Sequence, residues 1–236
     1  MRLFWYGYGR LRMENEMATW IVHFRIADYF LKCLNVDKPQ FTVGSVAPDC
    51  GYGKKDSMGE FEPPPKVTHW SPSGMKRDCQ YEKFSKKYLD GKDKSTADYS
   101  FYLGYYVHLL TDIMWSCEIF APTKILYAKE YKENPEFIKT IKEDWNDLDF
   151  KFLNEHPDME VFKVFDGVGE VKQYLDYYEK EQLTIQIKFI KDYYKDGFKK
   201  HNFNREYHYL TQKKVDEFVD CACYLIHKVL KDKKLI

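Results

Sequence analysis

Residues 97 to 119, Ala-Asp-Tyr-Ser-Phe-Tyr-Leu-Gly-Tyr-Tyr-Val-His-Leu-Leu-Thr-Asp-Ile-Met-Trp-Ser-Cys-Glu-Ile, form the longest apolar helical stretch in the chain, yet it carries an imidazole and a carboxylate on its apolar side. Gly104, His108 and Asp112 fall at i, i+4 and i+8, one above another on a single helix face. Phe101, Tyr105, Trp115 and Ile119 flank that face, so it is predicted to point into the core. A carboxylate beside an imidazole inside a protein needs a compensating partner. Gly104 leaves space next to the pair, at a helix-propensity cost of about 1 kcal/mol relative to Ala. A divalent metal filling that space and a simple His–Asp hydrogen bond are both consistent with this helix alone.

Other segments organise around it. Residues 17 to 34 read as an amphipathic helix, with Trp20, Ala27, Phe30 and Leu34 in helical register and His23 on the same inward stripe. Asn35 and Pro39 are expected to end it. From Phe41 to about Pro72, Gly44, Pro48, Gly51, Gly53, Gly59 and Pro63-Pro64-Pro65 break the chain too often for a long helix or strand. A loop of that length in a compact domain tends to be functional or disordered, and it contains Asp49 and His69. Further helices are predicted at about 76–90, 122–132, 135–154, 168–197 and 211–232, with breaks at Gly167, Gly169 and around Gly197 to Asn204. No β alternation, internal repeat or second composition emerges. The expected fold class is all-α, a single-domain multi-helix bundle over 17–236 preceded by an N-terminal extension at 1–16.

Composition narrows the function classes. The 236 residues include 37 basic and 37 acidic side chains, so no global field draws the protein to nucleic acid, and no stable nucleic-acid complex is expected. Aromatic residues make up 18% of the chain. Trp20, Trp70, Tyr105 and Trp115 are candidates for either cleft wall or core. The six cysteines include no CxxC pair and read as buried free thiols. No segment approaches the roughly eighteen apolar residues of a membrane span, and no secretory signal is recognisable. A cytoplasmic protein is expected. Zinc accepts imidazole nitrogens and carboxylate oxygens, usually four of them. Two ligands from the 97–119 helix and two from the Gly/Pro loop are a workable set.

The segments Gly44-Ser45-Val46-Ala47-Pro48-Asp49, Thr68-His69-Trp70 and Gly104 through Asp112 resemble the zinc-dependent phospholipase C family. The order of elements over about 17–120 agrees as well. The resemblance implies an all-helical fold of the phospholipase C and P1 nuclease type, holding one to three zinc ions in a cleft. It implies that Asp49, His69, His108 and Asp112 form a metal site, that His23 is a further candidate ligand, and that Asp49 is a ligand or the general base. It also implies hydrolysis of a small phosphodiester or a phospholipid. A related small-substrate phosphodiesterase or nuclease, and a non-catalytic helical protein with a structural metal, are the alternatives. The chain departs from the family in two places. Secreted members ligate metal through a free N-terminal Trp amine exposed by processing, whereas Trp20 is internal and Ala18 stands where a ligand His is usual. No HxxxE pair follows Asp112; Glu118, Asp144 and Asp147 are the nearest acidic candidates, the last two equally readable as a solvated helix face.

Overall fold

The computed structural model describes residues 17–53, 61–134 and 136–236. The 1–16 extension expected from the sequence lies outside the described residues. The described chain is a bundle of helices with one short β pair. Helix α1 (Trp20–Cys33) starts where Thr19 accepts a hydrogen bond from Val22 N, and α5 (Ala97–Trp115) where Thr96 accepts one from Tyr99 N at 3.1 Å. In each, a short hydroxyl side chain just before an apolar run satisfies an amide that the helix cannot. Helix α4 (Tyr81–Tyr88), helix α8 (Phe137–Glu155) and helix α11 (Gln212–Asp232) fall close to where periodicity places them.

Three segments differ from the sequence reading. Pro39 does not merely stop α1. It lies in the first turn of a new helix, α2 (Lys38–Gly44), whose cap Asp37 accepts from Gln40 N at 3.0 Å. The Gly/Pro loop is also more ordered than its composition suggests. It contains a 3₁₀ turn at Ala47–Asp49, an antiparallel pair of β1 (Tyr52–Gly53) with β2 (Phe61–Glu62), and a one-turn helix α3 (Pro65–Thr68). Finally, the predicted 168–197 helix is two pieces of different kind. Helix α9 (Glu160–Asp166) ends at Gly167, residues 168–181 are irregular, and α10 runs from Gln182 to Gly197. The irregular stretch spends its tyrosines on loop carbonyls and hydroxyls: Tyr178 OH donates to Ala47 O, and Tyr177 OH meets Tyr105 OH at 2.8 Å. Gln182 Nε2 donates to Cys50 O at 2.9 Å and Glu62 O at 2.8 Å. Those bonds, invisible in local pattern, hold the Gly/Pro loop against the bundle.

The closest helix crossing is that of α2 with α5. A Cβ added at Gly44 would lie 2.0 Å from Phe101 O, and one at Gly104 would lie 2.2 Å from Phe41 O. Two helix backbones therefore meet at a pair of glycines. The space that the sequence reading left beside Gly104 for a metal is filled by α2. Tyr105 and Trp115 are fully buried core, while Trp20 and Trp70 are half-buried. All six cysteines are free thiols, but Cys33, Cys117 and Cys221 are exposed, against the expectation of burial. Among the described residues, no helix is long and apolar enough to cross a membrane.

Candidate metal centre

The glycine crossing sets up the first candidate ligand, His108. One residue past Gly44, the Ser45 carbonyl faces α5, and His108 Nδ1 lies 2.8 Å from it. A carbonyl only accepts, so Nδ1 carries the proton and Nε2 presents its lone pair to the interior. His69, at the end of α3, is arranged the same way. Its Nδ1 lies 3.2 Å from Pro65 O and 2.9 Å from Thr68 Oγ1, which turns Nε2 inward. Tyr105 OH on α5 donates to Thr68 O and fixes that turn against the helix. Asp49 ends the Ala47–Asp49 turn, which Tyr178 holds from behind. On Asp112, Oδ1 accepts from Ala18 N at 3.0 Å. Oδ2 is left to face the histidines.

These atoms converge. His69 Nε2 is 3.1 Å from Asp49 Oδ1 and 3.4 Å from Asp112 Oδ2; His108 Nε2 is 3.8 and 3.5 Å from the same two oxygens. The two Nε2 atoms are 3.3 Å apart. Four lone-pair donors around a zinc ion with 2.0–2.1 Å bonds would be about 3.3 Å apart. Imidazole lone pairs aimed at carboxylate oxygens repel unless positive charge sits among them. His23 adds a further sign. Its ring stacks on His108 at 3.7 Å with 7° between planes, and its Nε2 lies 3.4 Å from Asp112 Oδ1. Neither His23 nitrogen nor Asp112 Oδ2, all buried, has a hydrogen-bond partner of good geometry. The donor set fits a divalent metal, in two groups that share His108: His23, His108 and Asp112, and Asp49, His69 and His108.

Electrostatics agree with the geometry. Burial lowers the His69 pKa to about 4, aided by the nearby Lys76 ammonium and opposed by Asp49 and Asp112. Burial and the neighbouring His108 also hold His23 below the ordinary imidazole value. His108 moves the other way: burial opposes its charge, but Asp49 and Asp112 outweigh it and raise the pKa. For Asp112, burial would raise the pKa, yet Lys76 and then His108 hold it well below the carboxylate range. Asp49 is likewise lowered, by His108 and His69 against the effect of burial. The lowered carboxylates and the lowered His23 and His69 are in the protonation states that metal ligation requires, and the rise at His108 records the negative charge of Asp49 and Asp112 around it.

The structure brings together all five residues that the sequence named: Asp49, His69, His108, Asp112 and His23. It does not bring in the downstream acids. Glu118 is exposed, in a π-helical turn over Ser116–Phe120. Asp144 and Asp147 are not a solvated face either; both are buried and held by Arg205, at 2.6 and 2.7 Å, with His201 Nδ1 2.8 Å from Asp147. They tie α8 to the 198–210 segment and belong to a separate network. Lys76, at the start of a 3₁₀ turn over Lys76–Asp78, was missed, though its Nζ lies 3.2 Å from Asp112 Oδ2. No sequence signal points to it, because a lysine in a polar turn ordinarily faces water. Nor does any local pattern show that the Ala18 amide and the Ser45 carbonyl orient ligands.

No curated protein and no solved structure matches the chain. The model of one family does, "Zinc dependent phospholipase C", over residues 17–204. That span contains α1, the Gly/Pro loop, α5 and both groups of converging donors. The helical bundle, the buried histidine–carboxylate cluster and the family match agree, and the chain belongs to the zinc-dependent phospholipase C family.

Proposed function

We propose that this protein is a metal-dependent phosphodiester hydrolase, with Asp49, His69, His108 and Asp112 holding zinc and His23 extending the ligand set. The convergence of inward-facing acceptor atoms at 3.1–3.8 Å carries the reading. When bound, the ion supplies Lewis acidity toward a phosphoryl oxygen and makes water more acidic. The protein's own groups do the rest. Ser45 O and Pro65 O fix the tautomers of His108 and His69, and the Ala18 amide fixes the rotamer of Asp112. Asp49 is the least enclosed of the five residues, though its side chain is only 6% exposed. Kept ionised by His108 and His69, its carboxylate is suited to ligate the ion or to orient a water by accepting its hydrogen bond. A small phosphodiester or a phospholipid headgroup is the proposed substrate. A cytoplasmic setting belongs to the same proposal, and three exposed free thiols suit a reducing compartment.

A second reading has its own support. His23, His69, His108 and Asp112 are each at most 2% exposed. An ion with four protein ligands and no open position would be structural. Metal analysis of untagged protein and of His108→Ala, followed by a phosphodiester turnover assay with and without chelator, separates these. Bound zinc that is lost in the variant, with chelator-sensitive hydrolysis, is the expected result. Zinc without turnover on any phosphodiester would favour the structural ion. No zinc even after incubation with the metal would overturn both.

A further inference from the structure

The loop that delivers His69 also returns a lysine to the same site. After His69 the chain turns through Trp70 at φ 52° and Gly74 at φ 80°, both in the left-handed region. Trp70 O accepts from Gln80 N at 2.8 Å, and Ser71 N donates to Lys66 O at 3.1 Å. Asp78 braces the other side of the loop, accepting from Ser71 Oγ at 2.5 Å and Ser73 N at 3.0 Å. The braced turn directs Lys76 inward, where it is 2% exposed and its Nζ lies 3.2 Å from Asp112 Oδ2. Lysine is almost never buried to this degree unless paired, and removing an ammonium from water costs several kcal/mol unless a charge compensates it. Asp112 provides that charge. A lysine at this point is a fixed positive charge inside a cluster of metal donors.

The donors themselves limit how many divalent ions the cluster can hold. His108 Nδ1 is committed to the Ser45 carbonyl, so Nε2 is its one ligand atom. The two groups of three donors share that atom and cannot both be complete at once. Among the described residues there are two carboxylates, Asp49 and Asp112, in the site. With the Lys76 ammonium present the site carries one net negative charge, so one divalent ion leaves a net charge of about +1 and a second about +3 in a buried space. The ammonium stands against Asp112 Oδ2, the same oxygen that His69 Nε2 and His108 Nε2 face.

We propose that Lys76 is a built-in cation of the site: its ammonium, paired with Asp112, fills the part of a second divalent ion, so that these donors hold one. The proposal rests on the metal-binding reading given above and adds to it the number of ions and the identity of the second positive charge.

Zinc titration by calorimetry of metal-stripped wild type, Lys76→Met and Lys76→Arg, with elemental analysis of each saturated protein, tests this. Wild type and Lys76→Arg are expected to take one equivalent. Lys76→Met, which keeps the length of the side chain and loses its charge, is expected to take a second equivalent or to bind the first about tenfold tighter or more, as repulsion at short range is removed. Two or more equivalents in wild type would overturn the proposal whatever the variants do. So would a Lys76→Met protein with wild-type far-ultraviolet circular dichroism and unchanged stoichiometry and affinity. Absence of zinc from all three proteins would instead sink the metal-binding reading itself, and this proposal with it.

Discussion

Asp149, on α8, shows how one buried group governs behaviour far from any reaction. Its carboxyl accepts from Thr19 Oγ1 at 2.6 Å and Tyr194 OH at 2.9 Å, and burial nevertheless pushes its pKa up to about 7. In the unfolded chain the same group releases its proton near pH ~4. Between these limits the folded state binds more protons than the unfolded state, so stability falls as pH rises through that window. Asp149→Asn is therefore expected to melt at about the wild-type temperature near pH 4 and above it at pH 8, read by thermal denaturation across pH. A lower melting temperature at pH 8 would mean that the ionised carboxylate is the form the fold needs. The converging histidines illustrate the same scale from the opposite side. His23 and His108 lie on core faces that periodicity finds, but which nitrogen faces the site depends on carbonyls elsewhere in the chain, such as Ser45 O.

Between elements, the strongest constraint is the glycine crossing of α2 and α5. A methyl group at position 104 would fall 2.2 Å from a helix carbonyl, and neither backbone can give way without moving the whole helix. Gly104→Ala is expected to cost about 3 kcal/mol or more in urea denaturation, and to weaken zinc binding because Ser45 O would move away from His108. A near-neutral effect would show that α2 can slide without loss. The link between α8 and the 198–210 segment rests on Arg205, which neutralises Asp144 and Asp147. Asp144 Oδ2 also accepts from the amides of His208 and Tyr209 at 2.9 and 2.6 Å. Removing Arg205 takes the guanidinium from two enclosed carboxylates, leaving Asp147 to His201 and Asp144 to backbone amides. Since the guanidinium is itself partly exposed, Arg205→Ala is expected to cost about 2–4 kcal/mol, with zinc content unchanged because the network lies apart from the metal donors. Loss of zinc along with stability would show that the two networks are joined.

Across the whole molecule, the proposed ion links α1, α5 and the Gly/Pro loop, which are distant in sequence. A ligand that binds the folded state and not the unfolded one stabilises it in proportion to the logarithm of its concentration over its dissociation constant. Chelation is thus expected to lower the melting temperature of wild type by several degrees and to leave that of His108→Ala unchanged, as measured by scanning calorimetry. Equal effects on both would place the chelated metal elsewhere.

The sequence by itself determined much of this protein. Apolar periodicity placed α1, α5, α8 and α11, because that signal acts within a few residues of chain. It also named the five converging donors. The inward side of α5 was legible from Phe101, Tyr105 and Trp115, and the loop residues Asp49 and His69 stood out in the family resemblance. Only the tertiary structure decided that Gly104 serves helix packing rather than leaving room for an ion, that Asp144 and Asp147 are buried partners of Arg205, and that Lys76 turns inward. Each of those outcomes is set by a group that is remote in sequence. Backbone contact, buried charge pairing and side-chain direction depend on which surfaces meet, and local pattern carries no record of that.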